Sequence, residues 1–131
     1  MTHAIAQALG GILHIPHGEA VALATPLNLR FNADHCVKQF SQLAHYCGIT
    51  GDSPEQQADL FVQSIVQLLL DVGLPDRVDV PDGAPQDLAE KLARNAFEST
   101  PVPLQLNPRP IDEPTLRELM SQLLRPAEST G

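Results

Sequence analysis

Residues 1–32, MTHAIAQALGGILHIPHGEAVALATPLNLRFN, read as two helices folded back on each other, and that reading decides the fold. Thr2 to Leu9 place small and aliphatic side chains at helical spacing, and Gly10-Gly11 supplies a C-terminal stop. Ile12 to Pro16 form a short connection. From Gly18 to Phe31 the chain is apolar nearly all round, through Ala20, Val21, Ala22, Leu23, Ala24, Leu27 and Leu29. A helix of that kind must be buried within a larger bundle. Pro26 is expected to kink or divide it, because proline removes one donor and crowds the preceding turn.

The same punctuation continues downstream. Asn32 can cap a third helix from Ala33 to Cys47, with Cys36, Phe40, Leu43 and Cys47 on one face and Gly48 ending it. Ser53-Pro54-Glu55-Gln56 is a capping box with proline at the first helical position. The helix it opens, to about Val72, carries Leu60, Phe61, Ile65, Leu68, Leu69 and Val72 inward. After a turn-rich stretch, a fifth helix runs from about Gln86 to Glu98, burying Leu88, Leu92, Ala96 and Phe97. Ser99 to Ile111, with Pro101, Pro103, Pro108 and Pro110, is expected to be extended. Asp112 and Pro114 then start a last helix with Leu116, Leu119, Met120 and Leu123. There is no internal repeat and no convincing strand. The class is all-α, a bundle of about six helices, with residues 1–125 forming one partial domain and 126–131 a disordered tail.

Composition excludes several functions. The chain has 131 residues, enough for one domain or part of one, and is 43% hydrophobic but only 4% aromatic, so its core is aliphatic. Sixteen acidic against eight basic side chains give a net charge of −8. That balance argues against nucleic acid, whose binding needs clustered Lys and Arg, and against anionic membrane surfaces. No apolar run approaches the ~20 residues of a membrane span, and no basic stretch precedes an apolar one as in a signal peptide. Cys36 and Cys47, placed on one helix, would stand roughly 16 Å apart, too far for a disulfide. Two reduced thiols fit the cytoplasm.

The histidines are the chemically informative residues. His3, Ala6, Gln7 and Gly10 share one helical face, and the reversal returns the chain so that His17 starts the next helix behind Pro16. A ligand on each of two adjacent helices can converge on one ion, and neutral imidazole suits iron, zinc, copper or nickel. Taken alone, two histidines fourteen residues apart are more often a solvated or hydrogen-bonded pair than ligands, and two ligands do not make a secure site. His14 reads as a loop residue or as a group orienting His17; His35 and His45 read as surface residues. Cys36 and Cys47 read as core, since no basic neighbour would activate a thiol. Glu19 suits the positive end of a helix dipole, and Arg109, between two prolines, suits a structural anchor.

His3, Leu9-Gly10-Gly11, Pro16-His17-Gly18, Pro26 and Phe31-Asn32 together resemble the signature of the iron-containing (group III) alcohol dehydrogenases, over about the first quarter of the chain. Asn107-Pro108-Arg109, before the last helix, is similar to that family's ending. The resemblance implies a C-terminal helical domain of the dehydroquinate synthase-like type. It implies that His3 and His17 are two of four ligands to a catalytic Fe2+, sometimes Zn2+. The other two, an Asp and a His, stand on an earlier helix in the family, which this sequence lacks. The sequence also shows no sign of the family's α/β domain, whose Gly-rich loop would bind NAD or NADP: there is no G-x-G-x-x-G and no strand alternation. His3 would also sit in an uncapped, fraying helix end. The chain therefore reads as a piece of a larger enzyme. Where many members carry a second His, this chain has Gln7, which lies in the catalytic pocket if the resemblance holds but cannot relay a proton as imidazole does.

In the intact enzyme the implied reaction is metal-assisted hydride transfer between a small alcohol and the nicotinamide, reversible to an aldehyde or ketone. On this reading the chain alone is inactive and seeks its α/β domain, with self-association into a homo-oligomer as a further expectation. Two other readings remain open: a non-catalytic helical interaction module derived from the fold, and an independent small metal-binding protein.

Overall fold

The computed structural model describes residues 1–80 and 82–126. Its architecture is all-α. Seven α-helices, one 3-10 turn and two three-residue strands are the regular elements among the described residues. Helix α1 (Thr2–Leu13) buries Ala4, Ile5, Ala6, Ala8 and Leu9, small enough for its neighbours to approach closely. It runs straight through Gly10-Gly11, contrary to the expected stop. The reason lies in the returning chain: a Cβ on Gly10 would stand 3.4 Å from the carbonyl oxygen of Ile15. That glycine makes room for the reversal, and the helix ends instead at His14, in the left-handed region at φ 57°, whose N–H bonds to the Gly10 carbonyl.

Helix α2 (His17–Asn32) is continuous through Pro26, which neither divides it nor opens its ends. Proline has no N–H for the carbonyl of Ala22, four residues earlier, so one rung is lost within a helix that tertiary packing holds together. Ala20, Leu23, Ala24, Leu27 and Phe31 are buried.

The third helix is shorter than the sequence suggests. A 3-10 turn, η1 (Ala33–His35), follows α2, and α3 (Val37–Tyr46) begins only after Cys36. Asn32 does not cap it; its side chain is engaged elsewhere. Cys36 is buried and Cys47 exposed, both as free thiols at the two ends of α3, so they do not share a helix face. Leu43 is also exposed, and the buried residue of α3 is Ala44.

Helix α4 (Pro54–Asp71) starts on the expected cap: Ser53 accepts from the N–H of Gln56 at 3.1 Å, and Gln56 reaches back to the N–H of Asp52. It packs on α3 around Ala44, Phe61 and Val62. Leu68 and Val72 are 56% and 63% exposed, not inward as expected. At 18 residues against the 10 of α3, α4 outruns its partner, and its last turns have no α3 beside them.

Strand β1 (Val78–Val80) pairs in parallel with β2 (Leu124–Pro126), a contact of three residues each that no alternation in the sequence announces. Arg125 binds Asp79 across it at 2.8 Å. Helix α5 (Leu88–Ser99) buries Leu88, Leu92, Ala93 and Ala96. Helix α6 (Pro101–Gln105) occupies a stretch expected to be extended. Pro101 is at the first helical position, where no N–H would be bonded in any case, so these prolines fit a first turn. Helix α7 (Glu113–Leu123) starts on Asp112, which accepts from the Thr115 N–H at 2.9 Å. The main core joins α1, α2, α5 and α7, with Leu104 of α6. Of the expected disordered tail, residues 127–131 lie outside the described residues.

Candidate metal centre

The tight reversal after α1 brings the two sequence-identified histidines together. His3 is on the first turn of α1 and His17 is the first residue of α2; both are exposed. Their rings stack with centroids 5.9 Å apart and planes 13° from parallel. Two imidazoles side by side on the surface form a two-nitrogen donor set of the kind that suits iron or zinc. Among the described residues no cluster of three or more His, Cys, Asp or Glu accompanies them. The residues present thus fit half of a metal centre, facing outward.

Gln7 lies one turn along α1 from His3 and is also exposed. Its Oε1 accepts a hydrogen bond from Thr100 Oγ1 at 2.8 Å, which ties α1 to the junction of α5 and α6. Sequence reasoning did not identify Thr100, because a lone threonine 93 residues away carries no local signal.

His14 caps α1 and is exposed. His35 is exposed at the end of η1; His45 is exposed on α3, edge-on to the Tyr46 ring. Arg109 anchors structure as expected: its guanidinium lies 4.3 Å from the centre of the Phe31 ring and donates to the Phe31 carbonyl at 3.2 Å. Beside it, Asn32 and Asn107 exchange paired amide hydrogen bonds of 3.0 and 2.9 Å, and Asn32 Oδ1 also accepts from the Arg109 N–H. This amide cluster was missed as a cluster. It locks the far end of α2 to the segment before α7, while Asn28 of α2 donates to Thr2, next to His3.

The model of the Fe-containing alcohol dehydrogenase family, C-terminal part, matches residues 1–124. The chain is 35% identical to the 1-propanol dehydrogenase PduQ of Salmonella typhimurium, over 95% of this chain and 35% of that protein. It is also 35% identical to the 1,3-propanediol dehydrogenase of Klebsiella pneumoniae, over 58% of this chain and 20% of that protein. The crystal structure of a 1,3-propanediol oxidoreductase superposes with a TM-score of 0.77 at 28% identity, covering 93% of this chain and 32% of that one. The chain spans about a third of the length of PduQ and of that oxidoreductase. On the fold, the paired histidines and these matches, the chain belongs to the iron-containing alcohol dehydrogenase family and corresponds to its C-terminal helical domain.

Proposed function

We propose that this chain is the metal-binding helical part of an iron-dependent, NAD(P)-linked alcohol dehydrogenase acting on small alcohols and their aldehydes or ketones. The observation that carries this reading is the pair of exposed, stacked imidazoles of His3 and His17. They would hold a divalent iron or zinc ion together with two ligands from a separate α/β domain, which would also bind the nicotinamide. Such an ion, when bound, supplies Lewis-acid polarisation of an alcohol or carbonyl oxygen. The chain's own residues do the rest locally. The reversal at Gly10 to Pro16 fixes the angle between the two imidazoles. Gln7, held by Thr100, presents an amide beside them that can hydrogen-bond to substrate. An amide takes up no proton at neutral pH, so proton transfer must leave the site by another group. The two free thiols accord with a reducing, cytoplasmic setting.

The test is anaerobic titration of the chain with Fe2+ and Zn2+, repeated on His3→Ala and His17→Ala. Weak binding lost in both variants is the expected result. Tight one-to-one binding would mean that the chain supplies further ligands and stands as an independent metal protein. Binding indifferent to both histidines would leave a non-catalytic helical module. The purified chain is also expected to show no nicotinamide-dependent turnover with 1-propanol, and measurable turnover would overturn the division of labour proposed above.

A further inference from the structure

A second concave site lies between the middle of α2, the C-terminal half of α4 and the end of α7. None of His3, Gln7 and His17 lines it. Its volume is about 280 Å³, at the small end of the roughly 300–1,000 Å³ typical of ligand pockets. Its walls are aliphatic, built from Leu23, Leu27, Leu69, Leu70 and Leu123. The lining also includes two exposed arginines, Arg30 from the last turn of α2 and Arg77 from the turn after α4. Among the described residues neither side chain makes an ion pair or a hydrogen bond, which is true also of Arg117, whereas Arg94 and Arg125 are paired with carboxylates and Arg109 with a carbonyl and a ring. In a chain of net charge −8, two unpaired arginines lining one apolar cavity are a charge arrangement in search of an anion.

We propose that this cavity binds a medium-chain carboxylate, with the alkyl chain against the leucines and the carboxylate held by Arg30 and Arg77. Guanidinium groups bind carboxylates through paired, charge-assisted hydrogen bonds, and an aliphatic cavity of this size takes a short chain rather than a ring system. Asp76 also lines the site and opposes an anion. Its carboxylate sets the direction of a further effect: removing that charge tightens binding.

The experiment is calorimetric titration of the chain with octanoate, with hexanoate and 1-octanol as comparisons. Octanoate saturates at one equivalent, each methylene from hexanoate to octanoate tightens binding about fourfold, and 1-octanol binds about tenfold more weakly. Arg30→Gln combined with Arg77→Gln weakens octanoate about tenfold, and Asp76→Asn strengthens it. Leu70→Trp, at a half-exposed wall position that folding tolerates, fills the cavity and abolishes binding. Circular dichroism of each variant separates lost binding from lost fold. Equal binding of octanol and octanoate, indifference to both arginines, or no saturation by about 5 mM octanoate would each overturn the proposal. The His3 and His17 variants bind octanoate as the parent does, so failure here is distinguishable from failure of the metal titration.

Discussion

Asn32 is 4% exposed, and its carboxamide uses both of its polar atoms. Its Nδ2 shares its two hydrogens among three acceptors, the Asn28 carbonyl at 2.9 Å, Asn28 Oδ1 and Asn107 Oδ1; its Oδ1 accepts from Asn107 and from the Arg109 backbone. No buried side-chain polar atom among the described residues lacks a partner. Truncation would change that. Asn32→Ala leaves the amide of Asn107 and the N–H of Arg109, both partly buried, short of a partner, and a polar group left unbonded away from water costs about 1–3 kcal/mol. We expect a loss of about 3 kcal/mol in a urea unfolding titration, with Asn32→Asp no better, because a carboxylate there would face the oxygens of Asn28 and Asn107. A loss under about 0.5 kcal/mol would mean that water replaces the network. Part of this is legible in the sequence: Asn28 and Asn32 are four apart and so share a helix face, but an asparagine ahead of Ala33 also fits a cap. Its partner lies 75 residues away, and no local pattern carries that distance.

At the scale of elements, helix starts were legible wherever a side chain bonds its own local backbone. Ser53 and Asp112 both cap the helices expected of them, since a cap and its N–H partner are three residues apart in any fold. Helix ends were less so: Gly10-Gly11 read as a stop, yet Gly10 makes room for Ile15, a contact that only the returning chain creates. The prolines of α6 misled for a different reason, because the rule against interior proline does not hold in a first turn. Asp112 gives this scale a measurable pH dependence. Hydrogen bonds from Thr115, through its side chain and its backbone N–H, hold the Asp112 carboxyl below its ordinary 3.8. A carboxyl lowered on folding stabilises the folded state above its unfolded value, and that contribution fades as pH falls through the folded value. The Asp112→Asn variant should therefore show a shallower fall of urea midpoint than the parent from about pH 4 downward. Parallel curves for the two proteins would show that the cap carries no charge-dependent stability.

The whole molecule has two packing centres of unequal size. Ile5, Leu9, Leu23, Leu92, Leu116 and Met120 are the large, fully buried side chains, and all belong to the centre built from α1, α2, α5 and α7. The α3–α4 hairpin has a smaller one, Ala44, Phe61 and Val62, with Phe40 tilted against Phe61 at 5.7 Å between ring centres. The sequence pattern showed both hairpin helices as amphipathic but not that their apolar faces would meet mainly each other, because periodicity says which face is buried and not against what. That arrangement leaves the paired histidines on the larger centre. The hairpin, exposed at Tyr46 (85%) and along the end of α4, stands apart from them. Local opening free energy follows buried apolar contact, so the hairpin should open first. Phe61→Ala removes the largest side chain of the smaller centre and is expected to cost about 3 kcal/mol there. Read by native-state hydrogen exchange, protection should fall across α3 and α4 while amides of α1 and α5 keep theirs. The Zn2+ binding proposed for His3 and His17 should persist in that variant, since neither histidine rests on the hairpin. Uniform loss of protection across all helices would instead mean that the two centres unfold as one cooperative unit, joined through the walls of the cavity between α2 and α4.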